Sequence, residues 1–207
     1  MKTKLTQKQY NDAYKKLIKK SELDVDFFVL TFSAAMICIL GLQVNSLGII
    51  IGAMIISPLL YPIIAIPASI LKKDYKNLAN IILFFLICST IVLLISAFVG
   101  FLFPVKNFDL FFTNEINPYK LFYFFIAIFS GLVASFSFFW PKAQEALTGI
   151  AISITILPPI CMLGVSLTNN NLFFYPTLDI ALLNISGIIL GSFITLISFR
   201  LANKKIR

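Results

Sequence analysis

Five long stretches of this chain contain no Asp, Glu, Lys or Arg, and they limit what the chain can fold into. They cover residues 27–71, 77–105, 121–141, 146–178 and 180–199. A helix that crosses a bilayer needs about 20 mainly apolar residues. The first stretch is long enough for two such helices, and each of the others for one. The sequence therefore predicts an all-α integral membrane protein with about six transmembrane helices, at 26–43, 47–70, 78–103, 121–140, 144–167 and 179–199.

The basic residues are divided unevenly between the two sides that six helices would create. The segment before residue 21, the 71–77 loop, the 141–143 loop and the C-terminal tail hold 7, 3, 1 and 4 of them, whereas the opposite side holds only Lys106 and Lys120. Lys and Arg concentrate in cytoplasmic loops. We therefore expect a multi-pass protein of the cell (inner) membrane with both termini in the cytoplasm. A net charge of +8 can indicate a protein that binds nucleic acid, but this placement of the basic residues argues against such a partner.

The first 24 residues are polar and basic, and they predict an amphipathic helix at the membrane surface. Its apolar face carries Tyr10, Ala13, Tyr14, Leu17 and Ile18, with lysines around it. Such a helix lies in the interface and is attracted to anionic headgroups; a disordered basic tail is the alternative. The predicted organisation is a cytoplasmic segment 1–24, a membrane domain 25–200 and a basic cytoplasmic tail 201–207.

The membrane domain contains a weak internal repeat at an offset of 101 residues. Gly48 begins a Gly-Ile segment that ends at Pro58, and Gly149 begins a similar segment that ends at Pro159. Two three-helix units in one chain, about 25–103 and 121–200, would have opposite orientations in the membrane. This is the inverted repeat of many secondary transporters. A chance similarity is the alternative.

Prolines fall near the middle of predicted helices 2 and 5. They are Pro58 and Pro62 in the first and Pro158 and Pro159 in the second. A proline lacks the backbone N–H and clashes with the carbonyl four residues earlier, and unpaired backbone groups are costly in hydrocarbon. The prolines therefore predict either ordinary kinks or two discontinuous helices that cross at the midplane, where transporters place their sites.

Residues on these two helices are the candidate substrate-binding groups. From the first half they are Asn45, Ser46, Ser57, Pro58 and Pro62, and from the second Gln144, Thr148, Ser153, Thr155, Pro158 and Pro159. Hydroxyls, amides, backbone groups and helix ends could bind either an anion or a cation. A single polar side chain in such a helix more often forms an interhelical hydrogen bond than binds a substrate.

The chain has no histidine, and the carboxylates of its predicted spans, Asp26, Glu145 and Asp179, lie only at or near the span ends, which argues against an enzyme, a metal site or a cofactor. The sequence favours a compact transporter or channel for a small solute or ion. The alternative is a non-transporting membrane scaffold, sensor or assembly partner.

Small-residue faces at Gly48-x-x-x-Gly52 and Gly187-x-x-x-Gly191 would let helices approach closely, and the second is a candidate homodimer contact within the lipid bilayer.

Residues 50–59, Ile-Ile-Gly-Ala-Met-Ile-Ile-Ser-Pro-Leu, are followed by Pro62 and Ile63. This segment resembles the signature of an uncharacterised hydrophobic-domain family of prokaryotic membrane proteins, a domain of unknown function. Residues 149–164, with Pro158 and Pro159, are similar to the second characteristic segment of that family. The resemblance covers roughly residues 25–200 and implies a polytopic prokaryotic membrane protein without an assigned activity. Tyr61 stands where the resemblance implies a small residue.

Overall fold

A computed structural model describes residues 7–104, 116–140, 156–169 and 174–204 of the chain. Within these ranges the chain is helical and forms no strand. The helices are α1 (Gln7–Lys20), α2 (Val25–Gln43), α3 (Leu47–Ile56), α4 (Leu60–Lys72), α5 (Tyr75–Leu102), α6 (Ile116–Phe139), α7 (Leu157–Asn169) and α8 (Phe174–Lys204). The prediction of an all-α fold is confirmed for the described part of the chain.

Four helices, α2, α5, α6 and α8, are long and apolar enough to cross a membrane, and α3 with α4 makes a fifth if the bent pair is one span. Their outward faces carry large apolar side chains that remain exposed, for example Phe98, Phe101, Phe122 and Phe129. Exposed apolar surface of this extent is expected where lipid covers it. The chain is thus a multi-pass membrane protein. Residues 141–155 lie outside the described ranges, and they include the first part of the predicted span 144–167.

The closest helix pair is α6 with α8, and two glycines of α8 make it possible. A Cβ atom added at Gly187 would lie 2.6 Å from the Cβ of Ala127, and one at Gly191 would collide with the carbonyl oxygen of Ile128. The small-residue face of α8 therefore packs against α6 of the same chain. A homodimer stays a prediction, but it would need a face other than this one.

Hydroxyl groups reinforce the contact between α6 and α8. Ser192 donates a hydrogen bond to the carbonyl of Gly131 at 3.4 Å, and Thr195 donates one to the carbonyl of Leu132 at 3.1 Å. Because the glycines bring the two backbones together, short side chains on one helix reach the backbone of the other. This is the usual way in which membrane helices associate.

The face of Gly48 and Gly52 has no close partner among the described residues, so its use in close packing stays a prediction. A Cβ atom added at either glycine would meet no described atom within 4 Å. The close approach between α2 and α3 is made instead at Gly41, where an added Cβ would lie 2.9 Å from a side-chain carbon of Ile50. The spacing of glycines identifies a helix that can pack closely, but not the partner that uses it.

Helices from the two predicted halves also contact each other. α5 packs along α7, and α4 packs against α8. At the first contact a Cβ on Gly164 would collide with the carbonyl oxygen of Leu93, and one on Gly100 would lie 3.2 Å from the Cα of Val165. α5, the last helix of the first predicted half, thus lies against α7 of the second half. In the same way α8, the last helix of the second half, lies against α4 of the first. α4 and α7 are the helices that the prolines begin.

Cys38 on α2 and Cys161 on α7 are both buried, and their thiols are neighbours where α2 packs on α7. We expect copper phenanthroline, an oxidant that enters bilayers, to join them in an intramolecular disulfide. Peptide mass spectrometry without reduction would detect the Cys38–Cys161 pair. The buried Cys88 on α5 should remain a free thiol and serves as the internal control. A disulfide that contains Cys88 in place of either partner would contradict this packing of α2 on α7.

The N-terminal amphipathic helix is present as α1, and its apolar face, which the sequence predicts to lie in the membrane interface, packs on protein. Tyr14 and Leu17 are buried, and the ring of Tyr10 stacks on Phe139 with 5.1 Å between ring centroids. α1 contacts α4 and α6. The reason for the difference is that the end of the bundle offers α1 a matching apolar surface, which a sequence pattern cannot reveal.

Polar contacts define the two ends of the bundle. At the end that carries α1, which we call the α1 end, the Tyr14 hydroxyl donates to Asp74 at 3.0 Å, and Asp74 caps the N-terminus of α5. At the opposite end, Lys120 and Asp179 form an ion pair with 2.7 Å between nitrogen and oxygen. The described charges are thus at the ends, which leaves the length of the bundle apolar.

Candidate functional site

The chain breaks between α3 and α4, at the first pair of predicted prolines. α3 ends at Ile56, α4 begins at Leu60, and the two axes are bent by 46°. Ser57 takes an extended conformation (φ −66°, ψ 125°) and its N–H still bonds to the carbonyl of Ala53 at 3.1 Å. The next residue, Pro58, has no N–H, so the carbonyl of Met54 loses its helical donor. The first half therefore contains a discontinuous helix and not merely a kinked one.

The break is held by local hydrogen bonds around Ser57 and Pro58. The N–H of Leu59 donates to the hydroxyl oxygen of Ser57 at 3.5 Å, and the carbonyl of Pro58 accepts the N–H of Tyr61 at 3.1 Å. Both Pro58 and Leu59 are buried. The polar groups of the break are thus partly satisfied by the break itself, in an otherwise apolar part of the bundle.

The other prolines of the predicted site lie in the first turn of a helix. Pro62 is the third residue of α4, and Pro158 and Pro159 are the second and third residues of α7. First-turn N–H groups have no partner inside the helix, so a proline costs no hydrogen bond there. Both α4 and α7 have 13 residues. In each half, the prolines accordingly begin a short helix.

Asn45 and Ser46 do not belong to this break. Asn45 has a left-handed backbone (φ 53°), and Ser46 donates its N–H to the carbonyl of Gly41 at 2.9 Å. This is the common helix ending in which the residue after the cap is left-handed, a conformation that Asn tolerates. The ten residues of α3 separate these two from Ser57 by about 15 Å. The structure thus assigns Asn45 and Ser46 to the α2–α3 turn.

The polar candidates of the second half, Gln144, Thr148, Ser153 and Thr155, lie outside the described residues. The described chain resumes at Ile156, which is buried like Leu157 after it. Of the eleven predicted site residues, the structure therefore brings Ser57, Pro58 and Pro62 together, and it places Pro158 and Pro159 at the start of α7.

Four hydroxyls on the spanning helices are buried without a hydrogen-bond partner among the described residues: those of Thr31, Ser89, Ser96 and Ser135. Ser96 borders α7, because its Cβ would lie 2.7 Å from a Cβ added at Gly164. Sequence reasoning missed these groups, since hydroxyls in apolar helices commonly bond to their own helix, as Thr90 does here. Ser96 thus places a polar atom at the contact between α5 and α7.

A polar crevice lies at the α1 end, away from the break. It has a volume of about 230 Å³ and is lined by Gln7, Tyr10, Leu71, Lys72 and Arg200. No signal in the sequence indicated it, since its walls come from three helices, α1, α4 and α8. The described part of the chain brings no three potential metal ligands (His, Cys, Asp or Glu) together.

Comparison with known proteins finds one family. Residues 54–190 match a domain of unknown function, DUF389. No curated protein and no solved structure matches the chain. The matched region includes the break at Pro58, the prolines of α7 and Gly187 of the α6–α8 contact, while α1 and the part of α8 from Gly191 onward fall outside it.

Proposed function

Because the chain belongs to the DUF389 family, whose description assigns no activity, we propose its function from its own fold: a transporter or channel for a small solute or ion. The pathway would run past the α3–α4 break and the start of α7. In this proposal the chain spans the membrane six times, with the predicted span 144–167 as the fifth.

The observation that carries the proposal is the discontinuous helix α3–α4 together with its counterpart α7. α4 and α7 have the same length and both begin with prolines. The contacts also exchange between halves: α5 lies on α7, and α8 lies on α4. An inverted pair of three-helix units would produce this exchange, and broken helices at matching places are where such transporters bind substrate.

The break offers groups for ions of either sign. The C-terminus of α3 carries partial negative charge from its free carbonyls, and the N-termini of α4 and α7 carry partial positive charge. No carboxylate lies inside the described spans of α2 to α8 except near their ends. The proposed substrate is therefore held by hydroxyls, backbone groups and helix ends rather than by a buried ionised side chain.

Liposome flux tests the proposal directly. Purified protein would be reconstituted and flux measured for a panel of small anions, cations and neutral solutes, with empty liposomes as the control. We expect one class to cross faster with protein than without. Absence of flux for the whole panel, from protein shown to be folded, would favour the alternative of a scaffold, sensor or assembly partner, which the burial of Pro58 and Leu59 also fits. Co-purification of one stoichiometric partner would support that alternative.

Thiol accessibility tests the position of the pathway. In a chain whose three native cysteines are replaced by serine, we expect Ser57→Cys to react with a membrane-impermeant thiol reagent. Ala53→Cys, one turn earlier on α3 and fully buried, is the matched control and should stay unreacted. Equal protection of both positions, in a protein that retains flux, would exclude the break from the pathway.

A further inference from the structure

The crevice at the α1 end is lined by cations from two helices that are far apart in the sequence. Lys72 is the last residue of α4, and Arg200 lies near the end of α8. Among the described side chains, none of those that line the crevice is a carboxylate. Two converging cations without a lining counter-charge favour an anion.

Arg200 has hydrogen-bonding capacity left over. One nitrogen of its guanidinium lies 3.5 Å from the carbonyl oxygen of Leu71, a weak contact that holds the side chain across α4. A guanidinium carries five N–H donors in a planar fork. That fork matches two oxygens of a phosphate group, which is why Arg is favoured at phosphate sites.

Lys72 is held in place by neutral side chains, and the charge of Asp74 acts on it through space without forming an ion pair in the described part of the chain. Its ammonium donates to the side-chain oxygen of Asn11 at 2.7 Å and lies 4.5 Å from the centre of the Tyr14 ring. Asp74, two residues on, is engaged by the Tyr14 hydroxyl and by the Asn77 amide, at 3.0 and 2.8 Å. An ammonium has three donors, so Lys72 can still bind a further acceptor.

Two neutral groups complete the lining. Burial raises the pKa of Tyr10 to about 12, so its phenol stays protonated at physiological pH. The Tyr10 ring is fixed by stacking on Phe139. Gln7, at the start of α1, adds an amide that can donate. All the polar groups of the crevice can therefore donate hydrogen bonds to one anion.

The position of the crevice relative to the bilayer indicates the source of the anion. The apolar segments that border it end at Lys72 and Leu201, so the crevice lies where hydrocarbon gives way to headgroups. The same end carries the lysine-rich helix α1, and lysine-rich segments are attracted to anionic lipid. A phosphate attached to a lipid would meet the crevice without leaving the membrane.

We propose that the crevice between α1, α4 and α8 binds a phosphate group, held by Arg200 and Lys72, as carried by an anionic lipid headgroup. The bound phosphate bridges α4 of the first half to α8 of the second and fastens α1 over both. This site is independent of the proposed transport pathway, which lies at the α3–α4 break.

The test measures binding to the purified full chain in a neutral detergent. The probes are short-chain phosphatidic acid, short-chain phosphatidylglycerol, short-chain phosphatidylcholine as the neutral control, and inorganic phosphate. We expect the two anionic lipids to bind and phosphatidylcholine to bind at least about tenfold more weakly, with the affinity for the anionic lipids falling as salt rises. Inorganic phosphate that binds as tightly as the lipids would overturn the lipid source and leave a soluble phosphate as the ligand.

Variants assign the binding to the crevice. We expect Arg200→Gln and Lys72→Gln each to weaken anionic-lipid binding about tenfold, as loss of a charged hydrogen bond does. Lys73→Gln, an exposed neighbour of Lys72, should change it less than twofold. Arg200→Lys and Lys72→Arg keep the charge and should retain part of the affinity if a Gln variant fails to fold. Equal binding by the wild type and both folded Gln variants would overturn the site.

Discussion

Replacing Gly191 with alanine is expected to destabilise the protein severely, whereas the same change at Gly52 is expected to stabilise it slightly. At Gly191 the added methyl group collides with the carbonyl oxygen of Ile128. That oxygen is backbone, so α6 and α8 must separate before the methyl group fits. Overpacking of a well-packed contact costs about 1–3 kcal/mol, and we expect a value at or above the upper end here.

At Gly52 the methyl group meets no described atom within 4 Å, so only the helix propensity changes. Alanine is favoured over glycine inside a helix by about 1 kcal/mol. The two variants are therefore predicted to differ in sign, although each glycine ends a Gly-x-x-x-Gly pattern. Melting temperature and the monodisperse fraction in detergent measure the effect. Similar shifts at both positions would contradict the close α6–α8 contact.

Replacing Pro58 with alanine is expected to reduce flux at least about tenfold, equivalent to about 1.4 kcal/mol. Alanine restores an N–H at the position where the carbonyl of Met54 has lost its donor, so α3 can extend through the break and the 46° bend can straighten. Flux into liposomes that contain the purified protein is the readout. In the proposed six-span arrangement, Pro159→Ala is expected to act in the same direction.

Pro67 provides the matched control for this prediction. It lies inside α4, which is continuous on both sides of it, and it is buried as Pro58 is. Pro67→Ala therefore removes a buried proline without removing a break, and we expect it to change flux by less than about twofold, or about 0.4 kcal/mol. If the two variants lower flux equally, the effect comes from lost packing and the break has no special part in transport.

The long apolar helices could be predicted from the sequence because the bilayer imposes a simple rule. α2, α5 and α8 occupy the predicted spans to within a few residues, since a charge is too costly inside them. The break after Ile56 was also predictable in place, because Pro58 lacks the N–H that the preceding turn needs. What the prolines could not indicate is whether the helix kinks or stops, which depends on the bonds that Ser57 and Leu59 make.

Contacts between distant segments could not be predicted in the same way. Gly48-x-x-x-Gly52 and Gly187-x-x-x-Gly191 are alike in sequence, but only the second meets another backbone in the described structure. The crevice at Lys72 and Arg200 depends on two residues 128 positions apart. Asn45 is a different case: its polar side chain predicts a binding group, although Asn before a new helix is also a usual left-handed turn residue.

The position of α1 has a consequence for the order in which the protein assembles. The surface that α1 covers is made by Ser69 and Asp74 and then by Phe139. Phe139 is synthesised 129 residues after Tyr10, which takes about 6 to 26 s at the usual rate of translation. During that time the first helix made has no complete place to dock. We therefore expect α1 to close over the bundle only after α6 has been made.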